Sequence, residues 1–499
     1  MNPPPDASPP AEVPSLANVG KPGEAERPTR MRYAVLAVFC SLAFLTYLDR
    51  ICIMRVQGEI ERDLGFAELT AADEARLRSA ELAGRPGARA KLERDRATER
   101  MSWVFASFLM GYLLFEVPGG WMGDRWGARR VITRIVIAWS IFTALTGAVP
   151  ALGRAVASAP GPALLLGLMI AIRFLFGLGE AGAYPNIARA LGRWFPFRQR
   201  ASAQGAIWMA SRMGGAAAPL IIGLLMSLAG HWTRAFWILG VVGAAWALAF
   251  ACWFRDRPEE KRGVNEAERA SIRDGGESHG SIYDDRSGSR LPWTALLMSR
   301  SLWALCLVSF SMSFCWYFFV TFLPKYLKEQ HGIDYARSEL VSGLPLLVGA
   351  AACFGGGRLS DFLCVRLGAR WGRSLPGVVG CVLASGCALM ASRLQTPFAC
   401  LALICLASAC QDVSLPAMWS VPVDLGGRNA GTVGGVMNAM GCVGGMLSPL
   451  VAAKLSSAGS WSVVIQVFAG VYLLGALAWS LVDSRKTLAA ETTSPQFSG

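Results

Sequence analysis

The stretch RFLFGLGEAGAYPNIAR, residues 173–189, holds an arginine and a glutamate inside a run otherwise suited to a lipid bilayer. Seven helical steps of about 100° bring the chain almost back to its starting azimuth, so Arg173 and Glu180 share one helix face, roughly 10 Å apart along the axis. A charge near the bilayer centre costs about 2.5–3.5 kcal/mol on insertion scales, so that face belongs against protein or a watery cavity. A second pair, Asp49 and Arg50, stands in YLDR (47–50), and Arg212 stands alone in QGAIWMASRMGGAAAPL. At about 1.5 Å per residue, Asp49 and Arg173 lie at similar depths in their spans, close enough to pair. Desolvation favours the protonated form of a carboxylate and a nearby guanidinium opposes it, so an anion arriving between them can change its protonation. A buried ion pair is a poor stabiliser, which favours a functional role for these charges over a clamp that only makes them tolerable.

Those charges need a scaffold of membrane helices. Of 499 residues, 53% are hydrophobic and 17% charged, and the mean hydropathy is +0.39, far more apolar than soluble domains. Runs of about 20 apolar residues, each long enough to cross roughly 30 Å of hydrocarbon, recur along the chain. Twelve are expected, near 33–56, 102–122, 131–152, 163–188, 202–229, 235–254, 302–325, 339–359, 374–393, 397–419, 430–453 and 461–482. By depth in its span, Arg212 sits near the midplane.

The net charge of +13 would suggest nucleic acid in a soluble chain, but here the basic residues gather in alternate loops. Arg27, Arg30 and Arg32 precede the first span, Arg125, Arg129, Arg130 and Arg134 follow the second, and Arg193, Arg198 and Arg200 follow the fourth. The opposite loops carry few, such as Arg154, Arg234, Arg393 and Lys454. The positive-inside rule therefore places both termini in the cytoplasm, and no nucleic-acid partner is expected.

The expected organisation is a disordered cytoplasmic tail at 1–30, six helices over 31–254, a cytoplasmic linker at 255–298, six more over 299–483 and a cytoplasmic tail at 484–499. Residues 59–100 include TAADEARLRSAELAGRPGARAKLERDRATER, a charged, helix-prone piece read as an external insertion. GGWMGDRWGARR (119–130) after the second span is echoed by GGGRLSDFLCVRLGAR (355–370) after the eighth, and such an internal repeat points to a binding site between the halves. Asp124, Arg125, Arg129 and Arg130, with Arg358 and Asp361 in the second copy, sit at the cytoplasmic edge and are read as gating and tethering charges.

Other chemistries lack their parts. GLGEAG (177–182) fits a dinucleotide fingerprint only literally, because it lies inside an apolar span. The three histidines, His231, His279 and His331, fall in or beside loops, so neither a zinc site nor a Ser-His system is expected, and no cofactor or metal is assigned. Thirteen cysteines lie mostly in apolar spans without CxxC pairing and act as small hydrophobes.

The repeated loop resembles the signature of the major facilitator superfamily. YLDR (47–50), RFLFGLGEAGAYP (173–185), WFRDRPEEKRGVNEAE (253–268), WYFFVTFLPKYLKEQHG (316–332) and LPAMWSVPVDLGGRNAGTVGGVMNAMGCVGGMLSPL (415–450) make it similar to the anion:cation symporter family within it, which includes sugar-acid permeases and sialin. The resemblance covers residues 33 to about 482. It implies an all-α membrane protein of twelve helices in two pseudo-symmetric six-helix bundles. It also implies that Asp49 and Glu180 are proton-coupling carboxylates, and that Arg50 and Arg173 hold the substrate anion. Tyr47, Tyr112, Trp419 and Asn438 match positions that line the substrate cavity. Where the family often repeats Asn four residues later, this chain has Cys442. Arg212 departs from the uncharged group usual there and is read as a contact for a second acidic group on the substrate.

The expectation is a proton-coupled transporter, not an enzyme, that imports a small organic anion such as a hexonate, hexuronate or aldarate by alternating access. It would work as a multi-pass monomer in the lipid bilayer of the inner membrane. A carboxylate exchanger or uniporter is the alternative within the class. A transporter-like solute sensor is the alternative outside it, and retention of all four central charges argues against that one.

Overall fold

The computed structural model describes residues 27–82, 87–273, 293–321, 326, 339–394, 396–457, 461–485 and 488. The expected tail before residue 27, the middle of the linker (274–292), the end of the 302–325 run and nearly all of the C-terminal tail lie outside those residues. The described residues contain helices and no strands. In chain order the helices are α1 (Met31–Arg55), α2 (Gln57–Asp63), α3 (Ala71–Leu82), α4 (Ala88–Trp126), α5 (Ala128–Val156), α6 (Pro162–Glu180), α7 (Ala183–Trp194), α8 (Arg200–Ala229) and α9 (Trp232–Trp253). They continue with α10 (Glu266–Arg273), α11 (Trp293–Met298), α12 (Arg300–Thr321), α13 (Glu339–Ala391), α14 (Pro397–Gly426), α15 (Ala430–Ser457) and α16 (Trp461–Leu481).

Among the described residues, ten stretches are long and apolar enough to cross a membrane. Two of them, Leu344–Ala391 with 48 residues and Pro397–Ser456 with 60, are more than twice the length that one crossing needs. Each contains a break: Gly368 at φ 79° inside α13, and a short 3-10 turn at Gly427–Asn429 between α14 and α15. The outer surface is apolar, as along α8, where Leu220, Leu224 and Leu228 recur every four residues at 68%, 60% and 76% exposure. On a soluble protein such a stripe would be a liability, whereas against lipid it satisfies a face that needs no partner.

Three local features depart from the run-by-run reading. The run at 163–188 is two helices, because the chain turns at Ala181–Gly182, with Gly182 at φ 82°. That left-handed conformation favours glycine, and an added Cβ would meet the Gly119 backbone at 2.7 Å. The insertion is not separate from the second span, since α4 runs unbroken from Ala88 through the 102–122 run, while α3 pairs with its start through Asp73 and Arg96 at 2.5 Å. Arg96 beside Asp73 holds that carboxyl below the usual carboxylate range. Finally, the linker begins as structure rather than tether. Glu268 on α10 accepts the backbone N–H groups of Met31 at 2.9 Å and Arg32 at 3.1 Å, capping the start of α1.

Helices α1 to α9 form one half and α12 to α16 the other. They meet along two seams, α4 against α15 and α8 against α13. Glycines make the seams tight: a Cβ on Gly120 would strike the Gly431 carbonyl, and one on Gly357 would strike the Ala201 carbonyl.

Candidate functional site

Five helices bring buried charge to the centre: Asp49 and Arg50 on α1, Glu116 on α4, Arg173 and Glu180 on α6, Arg212 on α8 and Asp412 on α14. Arg50 Nε donates to Glu180 Oε1 at 2.6 Å, and the Arg50 side chain keeps 22% exposure while Glu180 keeps 1%. The guanidinium lies over Tyr112 at 4.6 Å and within 6 Å of the Tyr47, Phe108 and Tyr184 ring centres, an aromatic box that suits a desolvated cation. The pair is single-pointed, because Arg50 Nη2 and Glu180 Oε2 have no protein partner among the described residues.

Asp49 and Arg173 form no ion pair with each other, contrary to their expected match. Adjacent helical residues project about 100° apart, so with Arg50 turned to Glu180, Asp49 faces α5, where Thr143 Oγ1 lies 3.5 Å away. Arg173 is 2% exposed and covered by the rings of Phe176 at 4.4 Å and Phe108 at 5.2 Å. Arg50 is therefore the arginine of the two that reaches open space.

A cluster of rings closes the centre toward the motif loops. Tyr184 stacks on Trp208 at 4.8 Å, and Trp419 packs on both at 5.8 and 5.6 Å. Tyr47 meets Tyr184 and Trp208 edge-on. Trp419 and Tyr112 are almost fully buried, Tyr112 under the Arg50 guanidinium and Trp419 behind Tyr184, whereas Tyr47 and Asn438 are only partly covered. Asn438 Nδ2 donates to Glu116 Oε1 at 2.7 Å and to the Tyr112 hydroxyl at 3.3 Å.

Arg212 is already occupied. Its Nε and Nη2 donate to the two oxygens of Asp412 at 3.0 and 2.7 Å, and Trp316 lies 3.6 Å from its guanidinium carbon. Both partners come from the opposite half. The planar fork of arginine fits a carboxylate in this two-point way, so the second acidic group expected opposite Arg212 is supplied by the protein.

At the motif side the two copies of the loop work reciprocally. Asp124 accepts the N–H groups of Gly431 at 3.0 Å and Thr432 at 2.7 Å, capping α15, and pairs with Arg189 at 3.0 Å. Asp361 accepts those of Ala201 at 3.2 Å and Ser202 at 2.7 Å, capping α8, and pairs with Arg373 at 2.8 Å. Each carboxylate sits where a helix N-terminus presents unpaired donors. Asp424 joins Arg200 at 2.8 Å to Arg373 at 3.1 Å. The halves are thus sealed on this side.

The arginines of the first loop do not share that seal. Arg129 binds the Ala251 carbonyl and its backbone N–H meets Asp256, tying α5 to the end of α9 within one half. Arg125 lies over Trp121 of its own helix, and Arg130 is exposed. The charges that complete this seal are Arg189, Arg200, Arg373 and Asp424, whereas the side chains of Arg125 and Arg129 stay with their own half and Arg130 is exposed. Arg358, over Phe354 of its own helix, likewise stays out of the seal.

Two central residues escaped the sequence reading, Glu116 and Asp412. Their signal was present: each is a lone acidic residue inside an apolar run, the same signature that singled out Arg173.

Comparison with known proteins agrees with the geometry. A model of the Major Facilitator Superfamily matches residues 39–449 and 362–498. The chain is 31% identical over 465 residues to the "probable sulfoacetate transporter SauU" of Cupriavidus necator, covering 92% of this chain and 95% of that protein. It is 29% identical to the D-galactonate transporter of Escherichia coli, covering 92% and 97%. The solved proton:xylose symporter XylE superposes with a TM-score of 0.67 at 14% identity, covering 93% of this chain and 99% of that one. With helices alone among the described residues, two halves joined by reciprocal loops and a charged centre between them, the chain is a transporter rather than an enzyme and belongs to the Major Facilitator Superfamily.

Proposed function

We propose that the protein is a proton-coupled secondary transporter that imports a small organic anion, with the sugar acids (hexonates, hexuronates, aldarates) as the principal substrate class. The observation that carries this reading is Arg50, a partly open guanidinium in an aromatic box, held at one point by a buried glutamate. An anion binding the second edge of Arg50 competes with Glu180 for the cation. Glu180, left without its counter-charge in a low-dielectric centre, then takes a proton, so anion and proton travel together. Asp49, one residue away and facing α5, is the second coupling carboxylate. Arg173 acts from behind the Phe108 ring as fixed positive charge, and Tyr47, Tyr112, Asn438 and Trp419 shape the cavity. The relatives named for sulfoacetate and D-galactonate support a small, hydrophilic anion.

In this reading twelve helices cross the inner membrane with both termini in the cytoplasm, the insertion lies outside, the protein works as a monomer, and the sealed motif side faces the cytoplasm. The state is then closed inward and ready to admit solute from outside. Alternating access requires Asp124 and Asp361 to release the starts of α15 and α8.

Uptake of radiolabelled sulfoacetate, D-galactonate and D-glucarate into liposomes with an imposed inward proton gradient tests the proposal. At least one should accumulate above its external concentration, and collapsing the gradient with a protonophore should bring it back to equilibrium. Accumulation that a protonophore leaves untouched would contradict proton coupling. Arg212 enters the same assay: with its fork taken by Asp412, Arg212→Gln should reduce D-glucarate and D-galactonate uptake by similar factors. A selective loss of the dicarboxylate would restore Arg212 as a substrate contact.

A further inference from the structure

Glu116 is fully buried, stands in the C-terminal half of α4 and forms no ion pair among the described residues. Its two oxygens are divided between the halves. Oε2 accepts the Gly182 N–H at 2.9 Å, a donor that exists because the chain breaks between α6 and α7, and Oε1 accepts Asn438 Nδ2 at 2.7 Å from α15. The α4–α15 seam is close beside this contact: a Cβ on Gly435 would approach the Glu116 carbonyl at 2.8 Å. The ionisable groups around it are Tyr112 on its own helix, Glu180 on α6, Arg50 on α1 beyond the Tyr112 ring, and Cys442 one turn beyond Asn438 on α15. None of these makes a hydrogen bond to the Glu116 carboxylate.

We infer that Glu116 is a third proton-binding carboxylate, whose protonation is linked to the state of the cavity through the side-chain amide of Asn438. The inference rests on the transport reading for its purpose and on the α4–α15 contact for its chemistry. A carboxylate only accepts hydrogen bonds, so the ionised Glu116 fixes the NH2 edge of Asn438 toward itself. That amide also donates to Tyr112, which carries Arg50 on its face, so one side chain joins the seam to the anion site. When a solute hydroxyl or carboxylate takes the Asn438 amide, Glu116 keeps one backbone donor and no counter-ion. A buried carboxylate in that position binds a proton from the cavity water, becoming a neutral acid that donates its O–H to whichever acceptor Asn438 or the solute presents. Separation of α4 from α15 removes the amide in the same way, so opening of this seam and protonation favour each other.

The test needs no solute and no transport. A pH-jump infrared difference spectrum of the full-length protein in liposomes should contain a carboxylic-acid C=O band that is lost in Glu116→Gln and displaced in Glu116→Asp, while Asp49→Asn and Glu180→Gln leave it in place. Asn438→Ala should keep the band and shift the midpoint of its pH titration, a readout available even if the glutamine variant folds poorly. A band that persists unchanged in Glu116→Gln and Glu116→Asp, or a titration midpoint indifferent to Asn438→Ala, would overturn the inference. Absence of uptake with the band present would instead count against the transport reading alone.

Discussion

Arg50→Gln is expected to weaken anion binding by about 10- to 150-fold and to abolish net uptake at solute concentrations that saturate the parent protein. A hydrogen bond to a charged group contributes about 1.5–3 kcal/mol, and each 1.4 kcal/mol is tenfold in affinity. Arg50 is the central arginine with both exposure and an unpartnered nitrogen, so its loss cannot be covered by Arg173, which is walled in by Phe108 and Phe176. Arg50→Lys keeps the charge but loses the planar fork that reaches Glu180 and a second anion together, and it should recover only part of the affinity. Thermal-shift titration of the purified variants with sulfoacetate, D-galactonate and D-glucarate, followed by uptake, measures both effects. Arg173→Gln should instead lower thermal stability with a smaller effect on affinity per molecule of folded protein.

Asp412→Asn is expected to be the most destabilising single change at the centre. Arg212 and Asp412 are 3% and 0% exposed, and removing one charge leaves the other buried without compensation, at a cost of about 3–5 kcal/mol. Because the two sit on opposite halves, the loss should fall on the contact between the halves, seen as a lower melting temperature and faster proteolysis of the linker. Replacing both by apolar residues of similar size, Arg212→Met with Asp412→Leu, removes the unpaired charge and should restore much of the melting temperature. A double variant no more stable than Asp412→Asn would mean that the pair does more than neutralise itself.

The helical architecture was readable because apolar runs of bilayer length are a property of the sequence alone, and the repeated loop located Asp124 and Asp361 at equivalent edges. The pairing of charges was not. Whether Arg50 or Asp49 meets α6 depends on the rotation of each helix about its axis, which is set by close approaches such as Gly214 of α8 against the Phe44 carbonyl of α1 and Gly177 of α6 against the Phe108 carbonyl of α4. Nothing in the spacing of 49, 50, 173 and 180 encodes that rotation. The same limit explains Arg212, for which depth was legible but the partner from α14 was not. The break at Gly182 looked like one residue in a continuous run, yet it supplies the backbone donor that Glu116 uses. At the motif side, a cluster of arginines in sequence drew attention to Arg125, Arg129 and Arg130, whereas the seal uses arginines scattered over α7, α8 and α13, whose convergence is purely tertiary.

Proton coupling through Glu180 is tested most directly by Glu180→Gln in liposomes, comparing accumulation under an inward proton gradient with exchange of labelled for unlabelled solute at equal pH. The substitution mimics the protonated side chain and keeps its size, so solute binding and exchange should persist at a measurable rate, while accumulation should fall to the equilibrium level. Accumulation by Glu180→Gln equal to that of the parent protein would contradict the coupling role and leave Asp49 and Glu116 as the carboxylates to which the proton must be assigned.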